Sequence, residues 1–277
     1  MMPASSAASM TTTGAQANPP VLAAHDISVR FGGVTALSKV SLQIGAGHRI
    51  VSIIGPNGAG KTTLFNVLTG VVRPSEGSML LHGDDITGTR QDRIFGKGIS
   101  RTFQGIRLFE QLTVEQNVTL ASFSVPGRQA RVEGKTVSGF WKSKDGRDRA
   151  RRAMDQVELP VAIRGHKPPQ LTLWNSRMVE IARAISSEPT VLLLDEPAAG
   201  LNPVEKTKLR ELLIRLSHEI DFHLVVVEHD MNFVMSIAEH IWVLNFGCLL
   251  ASGSPAEIQA DPRVHEAYLG SPKDAKP

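Results

Sequence analysis

Short apolar runs separated by glycine fill the first part of the chain. Residues 27–31 and 40–44 alternate apolar and polar side chains, a pattern that predicts half-buried strands. Residues 50–54 are apolar apart from one serine and predict a fully buried strand. A helix is predicted over 61–69, and Gly70 directly after it is expected to end the helix.

The middle of the chain changes character and the β/α pattern then returns. Residues 106–186 contain fewer β-type runs and more helical periodicity. Apolar strands are predicted at 191–194, 222–227 and 241–246, and a helix with a leucine stripe at 204–217. Near the end, Ser254, Pro255 and Glu257 form a capping-box pattern that predicts the start of another helix.

These patterns predict one domain between two tails. Residues 1–20 are small and polar, without the basic start and apolar stretch of a secretory signal, and are expected to be a mobile tail. Residues 271–277 are expected to be a second tail. The single domain, 21–270, is divided into a nucleotide-binding core (21–105 and 187–270) and a helical insert (106–186).

The amino-acid composition excludes several classes of protein and site. The chain has 277 residues, of which 42% are hydrophobic and 21% charged, so wholesale disorder is excluded. Basic and acidic side chains nearly balance, 30 against 27, and the resulting net charge of +3 is too small to make nucleic acid the expected partner. One cysteine, Cys248, excludes an internal disulfide and a Cys-rich metal site, and is expected to be a small core residue. No apolar stretch reaches the roughly 18–20 residues that a membrane-spanning helix needs.

A basic segment lies inside the helical part of the chain. Residues 126–152 carry nine basic and three acidic side chains. Charge runs are usually solvated, so we interpret this segment as an exposed loop leading into a helix rather than as a specific anion site.

The sharpest motif is GPNGAGKTT at 55–63, which fits the phosphate-binding pattern G-x-x-x-x-G-K-[ST] between a predicted strand and helix. Glycines allow backbone N–H groups to converge on phosphate oxygens, and the helix N-terminus adds its positive dipole. A plain strand-to-helix turn is the alternative, and the strand–loop–helix context argues against it. The nucleotide-binding candidates are Gly55, Pro56, Asn57, Gly58, Ala59, Gly60, Lys61 (for the phosphate charge), Thr62 (for Mg²⁺) and Thr63.

A second motif supports the first. In VLLLDEP at 191–197, Asp195 and Glu196 end an apolar strand. A parallel strand beside the first one would bring both carboxylates to the phosphate end of the sheet. Asp195 would then hold Mg²⁺ and Glu196 would polarise the attacking water. An ordinary strand-to-loop transition is the alternative for this motif taken alone.

Together with RTFQ at 101–104, VVVEHD at 225–230 and SRMVEIARAI at 176–185, these motifs make the chain resemble the ATP-binding subunits of ABC transporters from about residue 22 to 270. It looks most like those of branched-chain amino acid importers, in which the two nucleotide-binding subunits differ. The resemblance implies an α/β P-loop NTPase (RecA-like) core with an antiparallel β subdomain and an inserted α-helical subdomain, using ATP and Mg²⁺.

The resemblance also assigns single residues. Phe31 matches the aromatic that stacks on adenine, and a core aromatic is the alternative. Gln104 matches the residue that touches Mg²⁺ and the attacking water and connects core and insert. His229 matches the residue that contacts the γ-phosphate and helps to hold Glu196. Asn202 stands where the family usually has an aspartate facing the partner subunit.

One segment departs from the family pattern. Where the family carries Leu-Ser-Gly-Gly-Gln, this chain has Leu171, Thr172, Leu173, Trp174 and Asn175. Glycine there lets helix N-terminal amides approach a partner's γ-phosphate, and an indole is expected to obstruct that approach. The alternative is a tryptophan that simply packs in a tolerant loop.

The resemblance implies an energy-coupling subunit, peripheral on the cytoplasmic face of the inner or plasma membrane. Its expected partners are membrane permease subunits and a second, different ATPase subunit with an intact signature; nucleic acid is not expected. Two alternatives stay open: a regulatory subunit that binds nucleotide without hydrolysis, and a soluble ABC ATPase acting on DNA or ribosomes. Neither the tandem cassettes nor the long heptad insertions of the latter occur in the sequence.

Overall fold

The computed structural model describes residues 19–122 and 144–269. The predicted C-terminal tail and nearly all of the predicted N-terminal tail therefore lie outside the described residues. Most of the basic segment 126–152 does too; its end, from Lys144, is the start of a helix, as predicted.

Strands and helices of the described residues are numbered here in chain order. The strands are β1 (Leu22–Phe31), β2 (Val34–Ile44), β3 (Ile50–Ile54), β4 (Glu76–Leu81), β5 (Asp84–Asp85), β6 (Ile99–Arg101), β7 (Val191–Asp195), β8 (His223–Val227), β9 (His240–Asn245) and β10 (Cys248–Gly253). The helices are α1 (Lys61–Leu68), α2 (Gln91–Gly96), α3 (Val114–Ala121), α4 (Lys144–Gln156), α5 (Leu173–Ile185), α6 (Pro203–Glu219), α7 (Met231–Ile237), α8 (Pro255–Ala260) and α9 (Pro262–Leu269).

Two sheets form the core. The smaller is antiparallel in the order β2-β1-β4-β5. The larger has the order β10-β9-β3-β8-β7-β6, and its strands are parallel except for β10, which forms a hairpin with β9. The α/β fold with an antiparallel subdomain is thus confirmed. The expected position of β7 directly beside β3 is wrong, since β8 lies between them.

Alternating side chains of the parallel strands enter two apolar clusters. On β7, Val191 and Leu193 face the antiparallel sheet and α1, whereas Leu192 and Leu194 face helices α3 to α7. Both faces of the strand are buried, which explains why its sequence is apolar at every position. The helices from α3 to α5 occupy the predicted insert and pack on one another beside this sheet.

Most local predictions hold. Helix α1 ends at Leu68. Gly70 follows with a left-handed backbone at φ 70°, the conformation with which a glycine commonly ends a helix, as predicted. Ser254 accepts from the Glu257 N–H in the predicted capping box. The expectation of a buried Cys248 is wrong: it is exposed, because β10 starts at the edge of the sheet with two outward side chains.

Candidate active site

The P-loop runs from the end of β3 to the start of α1 and is shaped by two glycines in unusual conformations. Gly55 has φ 154°, and a Cβ there would lie 2.2 Å from the Leu244 carbonyl oxygen. Gly60 has φ 102° and caps α1, and a Cβ would lie 2.8 Å from the Ala36 carbonyl oxygen. Only glycine fits both positions, so the loop keeps its backbone amides close to the α1 N-terminus.

Lys61 is the first residue of α1 and its ammonium is held over the loop. Its Nζ donates to the carbonyl oxygens of Gly55 at 2.6 Å and Pro56 at 2.9 Å. Burial lowers the pKa of Lys61, and the nearby Glu196 and Asp195 carboxylates oppose that effect. The cation is therefore partly desolvated beside two acids, which suits it to a phosphate ligand.

Asp195 ends β7 as a buried carboxylate paired with an arginine. Its Oδ2 lies 3.5 Å from Nη2 of Arg101. The Nη1 of the same guanidinium donates to Asn66 at 2.8 Å and to Thr69 at 3.1 Å. Burial raises the pKa of Asp195, and Arg101 is the main opposing influence. The sequence motif RTFQ contained Arg101 without revealing this role, since the pairing joins residues 94 positions apart.

Glu196 occupies a tight turn directly after β7. Its backbone is left-handed at φ 48°, and its N–H donates to the Val227 carbonyl at 2.9 Å. A non-glycine residue in this region is strained and persists where the surroundings hold it. The carboxylate Oε2 lies 3.7 Å from Nδ1 of His229, so the predicted pair is brought together.

Glu228 is a site residue that the sequence analysis missed. It is 1% exposed and accepts from the Ala198 N–H at 2.7 Å and the His229 N–H at 3.1 Å. It thereby connects the loops that follow β7 and β8. Burial raises the pKa of this carboxyl, and the backbone amides oppose the shift. The sequence signal that could have revealed Glu228 is its position directly after the apolar strand β8.

A cavity of about 500 Å³ opens above the P-loop. Of the predicted site residues outside the loop itself and its first helical turn, Gln104 and Glu196 line it together with Lys61 and Thr62, whereas Asp195 and His229 are not part of the lining. The rest of its lining is Val34, Thr35, Ala36, Asn57, Gly58, Ala59, Gly60, Thr63, Val227, Phe246 and Gly247.

Two aromatic residues stand near this cavity. Phe31 is not part of the lining; it pairs with Val34, which is, and its 52% exposure argues against a core position. Phe246 was not predicted from the sequence. It is 88% exposed on the β9–β10 turn, and the neighbouring Gly247 N–H donates to the Ala59 carbonyl of the P-loop.

Residues 171–175 lie at the start of α5, outside the cavity lining. Thr172 caps the helix by accepting from the Asn175 N–H at 3.2 Å. Leu173 is 43% exposed and close to Gly200, whereas Trp174 is half-buried and packs against the cluster of α3 to α7. The exposed bulk at this helix N-terminus therefore comes from Leu173. Asn202 caps α6 with Glu205 in a capping box.

The oxygen donors around the cavity fit a magnesium ion. Thr62 offers a hydroxyl and Gln104 an amide oxygen on the cavity wall, and both are hard ligands of the kind that Mg²⁺ prefers. The Asp195 carboxylate is not part of the lining and lies buried beside Arg101. Within the described residues, no group of three or more His, Cys, Asp or Glu side chains can hold a metal by itself. An ion that arrives with nucleotide phosphates as additional ligands needs no such group.

With this geometry defined, comparison with known proteins decides the family. The sequence model of the ABC transporter family matches residues 37–199. The chain belongs to that family. A second model, the branched-chain amino acid ATP-binding cassette transporter segment, matches residues 248–274. The chain is thus an ABC-type ATPase, and a domain of this kind implies nucleotide binding.

Individual relatives and structures agree with this assignment. The high-affinity branched-chain amino acid transport ATP-binding protein BraF of Pseudomonas aeruginosa is 39% identical over 258 residues, covering 91% of this chain and 98% of the relative. LivG of Escherichia coli is 38% identical with the same coverage. A crystal structure of a nucleotide-free cassette from an ABC transporter superposes with TM-score 0.79 at 27% identity, over 91% of this chain and all of that one. In the described part of this chain, no helix has both the length and the apolarity to span a membrane.

Proposed function

We propose that the chain is the energy-coupling ATPase subunit of a transport complex for branched-chain or other hydrophobic amino acids. The convergence of Lys61, Thr62, Gln104 and Glu196 on one cavity carries the ATPase part of the proposal. The match over 248–274 and the names of BraF and LivG support the class of cargo.

The arrangement of the described residues supports ATP hydrolysis at this site. The triphosphate binds at the α1 N-terminus, where Lys61 exchanges its two carbonyl partners for phosphate oxygens. Asp195, Thr62 and Gln104 would hold Mg²⁺, which when bound offsets phosphate charge. Glu196 orients the water that attacks the γ-phosphorus and accepts its proton, and the β–γ phosphoanhydride bond breaks. His229 positions the Glu196 carboxylate and reaches the γ-phosphate.

Hydrogen bonds connect the site to the helical insert. The segment that follows Gln104 is fixed to α5, because the Arg107 N–H donates to Glu180 at 2.9 Å and Arg183 donates to the Arg107 carbonyl at 2.6 Å. Movement of Gln104 with the nucleotide is therefore passed to α5. Such a rigid connection between core and insert supports a transmitting role.

A groove beside this connection is our proposed docking surface for the permease. It measures about 730 Å³, with apolar surface from Phe95, Leu108 and Phe109 and basic groups from Arg107 and Arg183. A helical segment from a membrane subunit with apolar and acidic side chains fits this lining. The chain would then sit at the cytoplasmic face of the membrane.

The second proposed partner is a different ATPase subunit. Nucleotide-binding subunits of this family are expected to pair head to tail, so the segment 171–175 of this chain would face the partner's phosphates. The partner's intact signature would complete the P-loop described above. Leu173, exposed at the start of α5, is the side chain placed to restrict access.

Glu196→Gln tests the hydrolytic role. In the complex co-purified from membranes with its permease and second ATPase, we expect ATP turnover to fall at least about 100-fold, because the general base is lost. ATP binding and Tm should stay near wild type. Glu211→Gln on the exposed face of α6 is the matched control. Lys61→Ala should abolish nucleotide binding itself.

Turnover that persists in Glu196→Gln would contradict the hydrolytic role. A regulatory subunit would lose little transport in this variant, whereas an energy-coupling subunit should lose uptake of leucine and trap ATP. A complex without any co-purified membrane protein would favour the soluble ABC ATPase.

A further inference from the structure

Helix α9 packs against the element from which the P-loop starts. Its Val264 is 4% exposed and belongs to a third apolar cluster, separate from the two described above, which also contains Ile54 of β3 and Ile241 and Val243 of β9. Tyr268, one helical turn further, packs against the same cluster. Ile54 directly precedes Gly55, so this cluster connects the C-terminal helix to the beginning of the phosphate-binding loop.

The buried Tyr268 hydroxyl lies near the Gly55 backbone. Among residues 19–122 and 144–269 the buried oxygen has no well-formed hydrogen-bond partner, and the Gly55 backbone is the group that influences it. Burial raises the pKa of Tyr268 to about 12, and the Gly55 backbone opposes the shift, so the phenol is neutral near pH 7. A buried hydroxyl with a poor hydrogen bond costs free energy, and a small shift of Gly55 would remove that cost.

Gly55 is a position from which such a shift reaches the phosphate site. The Leu244 carbonyl confines it on one side, and its own carbonyl oxygen accepts from Lys61 Nζ at 2.6 Å. When the Lys61 ammonium binds phosphate oxygens instead, the Gly55 carbonyl loses its hydrogen bond from Lys61. A hydrogen bond from its N–H to Tyr268 would hold the backbone in its place.

This support lies outside the general cassette. The ABC transporter model ends at residue 199, and α9 falls in the separate branched-chain segment 248–274. The contact therefore gives that C-terminal segment a physical connection to the nucleotide site.

We propose that Tyr268 is a positioning residue for the P-loop, whose hydroxyl oxygen accepts a hydrogen bond from the Gly55 N–H in the nucleotide-bound state. The inference rests on nucleotide binding at Lys61, as in the proposed function. It predicts that the C-terminal helix tunes nucleotide affinity rather than the chemical step.

Tyr268→Phe and Val264→Ala separate positioning from packing. Tyr268→Phe keeps the ring in the cluster and removes only a poorly bonded hydroxyl, so the Tm of the nucleotide-free protein should not fall. The dissociation constant for MgAMP-PNP and the KM for ATP should rise about three- to tenfold with kcat unchanged. Val264→Ala, on the same helix, should lower Tm and leave nucleotide affinity unchanged. Equal affinity in Tyr268→Phe and wild type would overturn the proposal.

The chain offers a direct spectroscopic readout, because Tyr268 is its single tyrosine. With carbon-13 at the tyrosine Cζ, the full-length protein gives one signal. Saturating MgAMP-PNP should shift it, with half-saturation at the dissociation constant measured by calorimetry. A signal that does not move in a protein that binds nucleotide would overturn the proposal.

Lys61→Ala distinguishes this failure from failure of the proposed function. If wild type and Lys61→Ala both fail to bind nucleotide, the proposed function falls, and the Tyr268 inference with it. If wild type binds, Lys61→Ala does not, and Tyr268→Phe matches wild type, only the role of Tyr268 is overturned.

Discussion

At the scale of single residues, the site keeps charges where burial disfavours them. Asp195 and Glu228 are both buried with raised pKa, and Glu196 adopts a left-handed backbone. Each feature costs stability and each lies within the phosphate site or directly behind it. Such costs mark positions where geometry for catalysis takes precedence over stability.

Glu228→Gln should flatten the dependence of stability on pH. The folded-state pKa of Glu228 is raised above its ordinary value, so its stabilising contribution is complete below about pH 4.3 and is lost as pH rises through the folded pKa. Glutamine does not titrate. Urea denaturation of the nucleotide-free protein from pH 4.5 to 8 should show a slope smaller by up to about 1.4 kcal/mol per pH unit.

The same substitution at the exposed Glu110 is the control for that measurement. It removes the same charge at a solvent-exposed position and so separates the effect of burial from that of the substitution itself. Identical slopes for wild type and Glu228→Gln would contradict the prediction.

At the scale of elements, the sequence predicts the strands and helix starts that depend on the pattern of neighbouring residues. The apolar run of β3 and the Ser254 capping box are each predicted from neighbouring residues, and the structure confirms both. The order of β3, β8 and β7 depends on contacts between distant segments, and there the prediction was wrong. The Arg101–Asp195 pair and the proximity of Tyr268 to Gly55 were not predicted either, because each joins residues that are far apart in the sequence.

Helix α5 carries a buried ion pair whose loss should be costly. Arg177 and Glu180 side chains are 3% and 0% exposed, and their contact is 2.9 Å. In Glu180→Ala, the Arg177 guanidinium stays buried without a carboxylate and the Arg107 N–H loses its acceptor. We expect the free energy of unfolding to fall by about 3–5 kcal/mol in chemical denaturation.

The exposed pair of Arg215 and Glu219 on α6 is the matched comparison. Glu219→Ala also removes a carboxylate from a helical ion pair, but in solvent, and should cost no more than about 0.5 kcal/mol. Similar losses in the two variants would show that burial does not set the strength of the α5 pair.

At the scale of the whole molecule, the two ends of the cassette are unequal. In the proposed function the P-loop, Asp195, Glu196 and His229 make up the phosphate site, whereas the α5 N-terminus carries the exposed Leu173. If cassettes pair head to tail, the first end makes one competent site and the second end impairs the other. Loss of one preorganised donor lowers turnover about 10²–10³-fold.

This asymmetry predicts which glutamate matters in the assembled complex. Glu196→Gln in this chain should remove more than about nine-tenths of ATP turnover, because it inactivates the competent site, and the matching Glu→Gln change in the partner ATPase should remove little. This chain purified alone should turn over ATP at least about tenfold more slowly than the mixed pair, since a self-pair has only impaired sites. The measurement is steady-state phosphate release from both single variants, the double variant and the isolated chain. Equal losses from the two glutamates, or brisk turnover by this chain alone, would mean that Leu173 and Trp174 leave the partner's phosphates accessible, and the pair would then have two working sites.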